Sequence, residues 1–223
     1  MISKRDNLKL LDKRISQLKL KGKTVIAFDF DELIIPDHLT RIIAQRVSKP
    51  VDQKKLNKLG SCSFEGLKYL HSLIVGYDLE KYRRWRDRKV SRTKWGKGFR
   101  KLFEKIMPEY SIIIISSGLK DVCKSKLKKI NFYVENLLGN EFKRVEGKIT
   151  GTDLIISDEL KGYIVRKLRR KYKIISVGHS LGDKYMLSES DVSIAYKPDI
   201  PDLAMYNVDS AEEIYKIIKK EAI

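Results

Sequence analysis

Cysteine is nearly absent from this chain: Cys62 and Cys123 are the two among 223 residues. A secreted disulfide framework and a cysteine-rich zinc site are both excluded, and a reducing cytoplasm is the expected compartment. Long apolar runs are missing as well. The longest reach four residues, as at Ile112 to Ile115, where a bilayer crossing needs about 20. Met1 to Asp6 leads into a charged segment with no apolar signal core, so no membrane partner is expected. Acidic residues are outnumbered, 29 Asp and Glu against 47 Lys and Arg, giving a formal net charge of +18. That excess favours phosphate-bearing or other anionic partners and is silent on fold. No internal repeat is found. With 42% hydrophobic residues, the chain is long enough for one globular core carrying an inserted subdomain.

Residues 3 to 20 set Leu8, Leu11, Ile15 and Leu18 three and four apart among basic residues, which predicts an amphipathic helix ending at Gly22. Thr24 to Phe28 is an apolar run of strand length, as expected for a strand buried on both faces of a parallel sheet. From Pro36 to about Pro108 the periodicity is helical, with Leu39, Ile42, Ile43 and Val47 on one face and Phe64, Leu67, Leu70 and Ile74 on another. Ser111 to Ile115 is a second buried strand, followed by a helix over about 119–130. Glu146-Gly147 marks a hairpin, Ser157 caps a helix with Asp158 and Glu159 in its first turn, and Lys173 to Val177 is a third buried strand. A short strand at Val192 to Ala195 precedes a capping box at Ser210 to Glu213. Strands alternating with helices predict a doubly wound α/β protein with a helical block inserted between its first two units.

Three buried strands end in polar clusters: Asp29 and Asp31, Ser116 and Ser117, and Gly178 to Asp183. In open α/β sheets the site lies at the carboxyl ends of the strands, so these residues are expected to converge. Two carboxylates two residues apart enter one crevice, where one attacks or binds a cation and the other handles a proton.

The order of these features resembles the haloacid dehalogenase (HAD) superfamily of phosphohydrolases: a strand ending Asp-x-Asp, a helical insertion, a strand ending Ser-Ser-Gly, a Lys at a helix start, and a strand ending Gly-x-x-x-x-Asp. The resemblance spans about residues 24 to 200 and is strongest to the phosphoserine phosphatase branch, through Glu146-Gly147-Lys148-Ile149-Thr150-Gly151, Leu160-Lys161-Gly162 and Ile194-Ala195-Tyr196-Lys197-Pro198. It implies a Rossmann-like three-layer core with a parallel sheet (1–35 and 109–223) and an inserted helical cap domain (36–108). It also implies a divalent-metal-dependent phosphomonoester hydrolase acting on a small phosphorylated metabolite. Asp29 would be the nucleophile and Asp31 the proton carrier. Ser116, with Ser117 and Gly118, would hold phosphoryl oxygens, and Lys161 would neutralise charge. Mg²⁺ is the implied cofactor, held by Asp29, the Asp31 backbone carbonyl and acidic groups of the last motif.

Departures from the pattern are equally specific. His179 stands where the family places a metal-binding carboxylate. Imidazole suits Mn²⁺, Co²⁺, Ni²⁺ or Zn²⁺ better than Mg²⁺. Either Asp183 takes over the metal, His179 shifts the ion preference, or catalysis is weakened and the protein binds a phosphorylated ligand instead. Glu32-Leu33 replaces a small hydroxyl pair and adds a carboxylate. His38 and His71 stand where phosphoserine phosphatases carry a substrate-binding Glu and Arg; the alternative for each is an ordinary surface histidine. Finally, 81–101 holds eleven Lys or Arg and one Asp, with Tyr82, Trp85, Trp95 and Phe99 between them. Such a stretch suits a nucleic acid; the alternative is a solvated face in a Lys-rich chain of thermophilic type.

Overall fold

The computed structural model describes residues 2–39, 42, 50–132 and 134–222. Among them a seven-stranded sheet runs in the order β4-β3-β2-β1-β5-β6-β7. Its strands are β1 (Thr24–Phe28), β2 (Ser111–Leu119), β3 (Leu137–Val145), β4 (Lys148–Leu154), β5 (Lys173–Gly178), β6 (Val192–Tyr196) and β7 (Tyr206–Val208). β1 lies at the centre, parallel to both β2 and β5, and β3 and β4 form the antiparallel pair.

The period of two in an extended chain explains the layers. Ile26 and Phe28 of β1 and Ile112 and Ile114 of β2 enter one core. Val25 and Ala27, with Ile113 and Ile115, enter the other. An uninterrupted apolar run is therefore required, since neither face meets water. The second core is covered by α1 (Lys4–Ser16) and α7 (Asp158–Arg169), through Leu11, Ile164, Val165 and Leu168. The first is covered by α4 (Leu79–Arg92), α5 (Phe99–Ile106), α6 (Lys120–Leu127) and α9 (Ala211–Glu221). α2 (Gln53–Leu59), α3 (Phe64–Ser72) and the short α8 (Lys184–Ser188) are further helices.

The expected 36–108 block is helical in its described part, but it is not uniform. Tyr82, Val90, Phe99, Phe103 and Ile106 share the core of Ile26 and Phe28. Phe64 and Leu67 form a small separate cluster with Ile155. Gly76 and Leu79 amides donate to Ile149 and Gly147 carbonyls at 2.8 Å, tying this block to the β3–β4 hairpin. Leu39 is buried as its helical face requires; Ile43 and Val47 lie outside the described residues.

Several expectations need adjustment. β2 continues past Ile115 to Leu119 through an irregularity in its pairing with β3. The hairpin turn has φ of 47° at Glu146 and 74° at Gly147, the two left-handed positions that a primed two-residue turn demands. Ser157 stands before α7 without a side-chain capping bond. At Ser210 one half of the box is present, the hydroxyl accepting from the Glu213 amide, while Glu213 accepts from Asp209 instead. β7, three residues long, is too short to signal itself.

α1 is locked to the segment entering α7. The fully buried Asn7 donates through Nδ2 to the Ile155 carbonyl at 2.8 Å and accepts from the Ile155 amide at 2.7 Å. Asn7→Ala leaves both groups dry and unpaired, which should cost about 2 to 4 kcal/mol. Urea denaturation measures this; a loss below about 0.5 kcal/mol would show that water replaces the side chain.

Candidate active site

Asp29 follows β1 directly, and its amide still pairs with the Val177 carbonyl of β5 at 3.0 Å. The strand order switches direction here, with β2 on one side and β5 on the other, so the crevice opens where such sheets bind ligands. The next turn is tight: the Asp31 carboxylate accepts from the Leu39 amide at 3.2 Å. Glu32 adopts a left-handed backbone with φ of 59°, a conformation a non-glycine residue holds only at a cost.

Two cations converge on the carboxylates. Lys161, one turn into α7, donates from Nζ to Asp29 Oδ1 at 2.7 Å and to Asp183 Oδ1 at 2.8 Å. His179 Nδ1 lies 3.3 Å from Asp183 Oδ2 and 3.6 Å from Asp29 Oδ2, aligned for a hydrogen bond to neither. Its Nε2 is 3.5 Å from Glu32 Oε2. Asp183 is fully buried and accepts from the His179 amide at 2.9 Å. Gly178 makes this approach possible, because a Cβ there would sit 2.6 Å from Asp183 Cβ.

Protonation follows from burial and charge. Burial and the neighbouring Asp183 push Asp29 up, with Lys161 and His179 opposing. Burial and the Asp29 charge push Asp31 up to about 7. Burial acts against ionisation of Asp183, but Lys161 and His179 outweigh it and hold the carboxyl well below the usual range. For His179, burial is likewise outweighed, by Asp183, Asp29 and Glu32, and its value rises to about 9. Ligand atoms of Asp29, His179 and Asp183 all lie within 4.8 Å of one another, a set that could hold a divalent ion.

The irregularity in β2 presents Ser116 to Gly118. Ser116 is buried, and its Oγ accepts from the Gly118 amide at 2.9 Å. Ser117 Oγ donates to Asp158 Oδ1 at 3.2 Å, and its carbonyl accepts from Asn140 Nδ2. Asn140 also accepts from the Ile156 amide at 2.6 Å, so one side chain fastens β2 and β3 to the α7 entrance. The Asp158 amide donates to the Cys62 carbonyl at 3.2 Å.

A cavity of about 330 Å³ gathers most of these groups. Asp29, Asp31, Ser116, Ser117, Gly118, Lys161, His179, His38 and His71 all line it. Asp183 does not; it sits behind Lys161 and His179. Sequence reasoning missed Asp158, which burial pushes up to about 6 although Lys161 and Ser117 pull it down. An acidic first turn has a sufficient local cause in the helix dipole, yet the place of Asp158 three residues before Lys161 puts both on one helix face. Asn140 gave no signal, since its role depends on a pairing between distant strands.

His71 is not a surface histidine. It is 2% exposed, its Nδ1 is 3.2 Å from Thr152 Oγ1, its ring meets Phe142 edge-on at 5.0 Å, and Nε2 is buried with no partner among the described residues. The aromatics of the basic stretch also differ from expectation. Tyr82 and Phe99 are fully buried, and Trp85 and Trp95 pack against the same core. Tyr82 and Phe99 are therefore closed to base stacking and Trp85 and Trp95 are half-buried, which leaves the exposed basic groups of 81–101 as the main argument for nucleic acid.

Sheet order, the Asp-x-Asp after β1, and the Lys161 bridge to the last motif make an α/β fold similar to that of haloacid dehalogenase-type proteins. The chain resembles phosphoserine phosphatases in particular. It is similar to the phosphoserine phosphatase of Methanocaldococcus jannaschii, 24% identical over 214 residues, covering 89% of this chain and 99% of that relative. Its structure matches a phospho-aspartyl intermediate analogue of phosphoserine phosphatase at 20% identity and TM-score 0.68, over 88% of this chain and 99% of the other. It also matches a HAD family hydrolase from Salmonella enterica serovar Typhi at 17% identity and TM-score 0.68, over 93% and 77%. No family model matches the chain. The resemblance read from the motif order is thereby borne out.

Burial lowers the His71 value from 6.5 to about 4. The unfolded chain takes up this proton first as the pH falls, so the folded state loses stability between about 6.5 and 4. Relative to His71→Gln, the wild-type chain should lose roughly 2 to 3 kcal/mol between pH 7 and pH 4.5 in urea denaturation. Parallel curves for the two proteins would contradict a buried, neutral His71.

Proposed function

We propose that this protein is a divalent-metal-dependent phosphomonoesterase acting on a small phosphorylated metabolite through an aspartyl-phosphate. The observation that carries the reading is Lys161 bridging Asp29 and Asp183 at the floor of a cavity bordered by Asp31 and Ser116 to Gly118. The similarity to phosphoserine phosphatases, one solved as a phospho-aspartyl analogue, supports it.

In this reading Asp29 attacks phosphorus and the ester P–O bond breaks. Asp31 gives its proton to the departing oxygen; a value of about 7 keeps a large fraction of it protonated at neutral pH. Asp31 then takes a proton from water, which attacks the same phosphorus and releases phosphate with Asp29 restored. Lys161 holds charge on Asp29 and the phosphoryl group, and the Ser116 hydroxyl and Ser117 amide receive phosphoryl oxygens. Asp29, His179 and Asp183, with the Asp31 backbone carbonyl, would hold the divalent ion. When bound, the ion adds positive charge beside the transferring group. One imidazole among carboxylates favours Mn²⁺, Co²⁺, Ni²⁺ or Zn²⁺ over Mg²⁺.

The residues of 36–108 that roof the cavity act as the cap that selects substrate. A cytoplasmic setting is supported by two free cysteines and, among the described residues, by no helix long and apolar enough to cross a membrane. A second reading, a weakened relative that binds a phosphorylated ligand or nucleic acid, is favoured by one observation. Lys161 and His179 already balance Asp29 and Asp183 without further help.

Hydrolysis of p-nitrophenyl phosphate across Mg²⁺, Mn²⁺, Co²⁺, Ni²⁺ and Zn²⁺ separates the two. Turnover should be metal-dependent, highest with an ion that accepts imidazole, and lowered about 10³-fold or more in Asp29→Asn. His179→Asp should shift the preference toward Mg²⁺. A folded protein inert with every ion would support the binding reading.

A further inference from the structure

The basic stretch keeps a set of cations that neither the fold nor the catalytic cavity uses. Its nearby carboxylates are taken by other partners. Glu80 pairs with Arg83 and Asp87 with Arg86, both at 2.9 Å. Asp121 pairs with Arg86 and Arg144 at 3.0 Å, and Glu104 with Arg100 at 3.0 Å. Lys81, Arg84, Arg88, Arg92, Lys94, Lys97 and Lys101 are all exposed, and none has an ion-pair partner among the described residues. None of them lines the catalytic cavity.

Four of these cations are ordered by α4. Lys81, Arg84, Arg88 and Arg92 follow one another at three, four and four residues, which places them in one stripe along the helix. Tyr82 and Val90 point the other way, into the core. The stripe is about 16 Å long, with arginines about 6 Å apart along the axis. Past the helix the chain carries Lys97 and Lys101 to a second cavity of about 280 Å³, which Lys105 and Lys197 also line. Asp209 and Glu212 border it too, Glu212 being paired with Lys105 at 3.1 Å.

Like charges three and four apart destabilise a helix, so the stripe is a cost to α4 rather than a support. Charged surfaces that stabilise do so through ion-pair networks, and these seven side chains stand outside them. A row of arginines on a rigid element is instead suited to a row of phosphates. We propose that this face holds the phosphate backbone of a nucleic acid, on a surface separate from the catalytic cavity. The inference does not depend on turnover in that cavity. Phosphate contacts of this kind carry no base information, so the binding is largely indifferent to sequence.

Fluorescence anisotropy tests this with a fluorescein-labelled single strand and a duplex, each of about 20 nucleotides per strand, between about 50 and 200 mM KCl. The wild-type protein should bind at least one of them, with log K falling against log salt at a slope of about −3 or steeper. Arg84→Gln, Arg88→Gln and Arg92→Gln together should weaken binding about tenfold or more and make the slope shallower by about 2. Arg5→Gln, Lys9→Gln and Lys13→Gln together remove the same charge from exposed positions of α1, which covers the other core. That control should leave the slope unchanged and the affinity within about twofold. Circular dichroism checks that both variants are folded. No binding of either oligonucleotide, equal losses in the two variants, or binding of inorganic polyphosphate alone would overturn the inference. The phosphatase reading is followed separately by p-nitrophenyl phosphate turnover, which both variants should retain. Oligonucleotide binding by a protein without turnover would sustain this surface while removing the catalytic reading.

Discussion

The site depends on one buried contact, the Lys161 ammonium held between Asp29 and Asp183. All three side chains are nearly removed from water. Burying such charges is unfavourable by several kcal/mol per ion, and only close pairing offsets it. Burial draws the lysine down, but Asp183, Asp29 and Asp158 hold it well above its ordinary value, so it stays cationic. His179 adds a second positive group on the other carboxylate oxygens. A cluster with this balance is costly as a mere structural feature.

The contact is possible because three segments far apart in the chain end at one level of the sheet. Alternation along β1 and β2 sends their side chains into two cores, and the strand order leaves a crevice above β1. Glycine at 178 lets Asp183 fold back under the crevice. Asn140 and Asn7 then fix the α7 entrance from both sides, which positions Lys161 and Asp158. Rigid support of this kind is what a reacting geometry requires.

Much of this was legible from the chain alone. Buried strands betray themselves by unbroken apolar runs, which is why β1, the first half of β2 and β5 were visible with Asp29, Ser116 and His179 at their ends. The hairpin showed through Glu146-Gly147. What stayed hidden depends on tertiary pairing: the parallel contact of β3 with β2, the short β7, and Asn140. Asp158 was visible but assigned to the helix dipole, since an acidic first turn has a sufficient local cause. Burial of Tyr82, Phe99 and His71 could not be read from composition. A helix with aromatics among basic residues presents the same pattern whether its apolar stripe faces a core or a ligand.

The central claim is that Asp29 accepts a phosphoryl group, and it is tested most directly by trapping. Asp31→Asn removes the acid of the first step as well as the base of the second, but p-nitrophenolate leaves without a proton, and the buried Lys161 contact stays in place. Quenching this variant in acid with ³²P-labelled p-nitrophenyl phosphate should leave label on the peptide containing Asp29, stable to acid and released by hydroxylamine as acyl phosphates are. Label on Ser116 or His179, or turnover of the wild-type protein through no trapped species, would contradict the account.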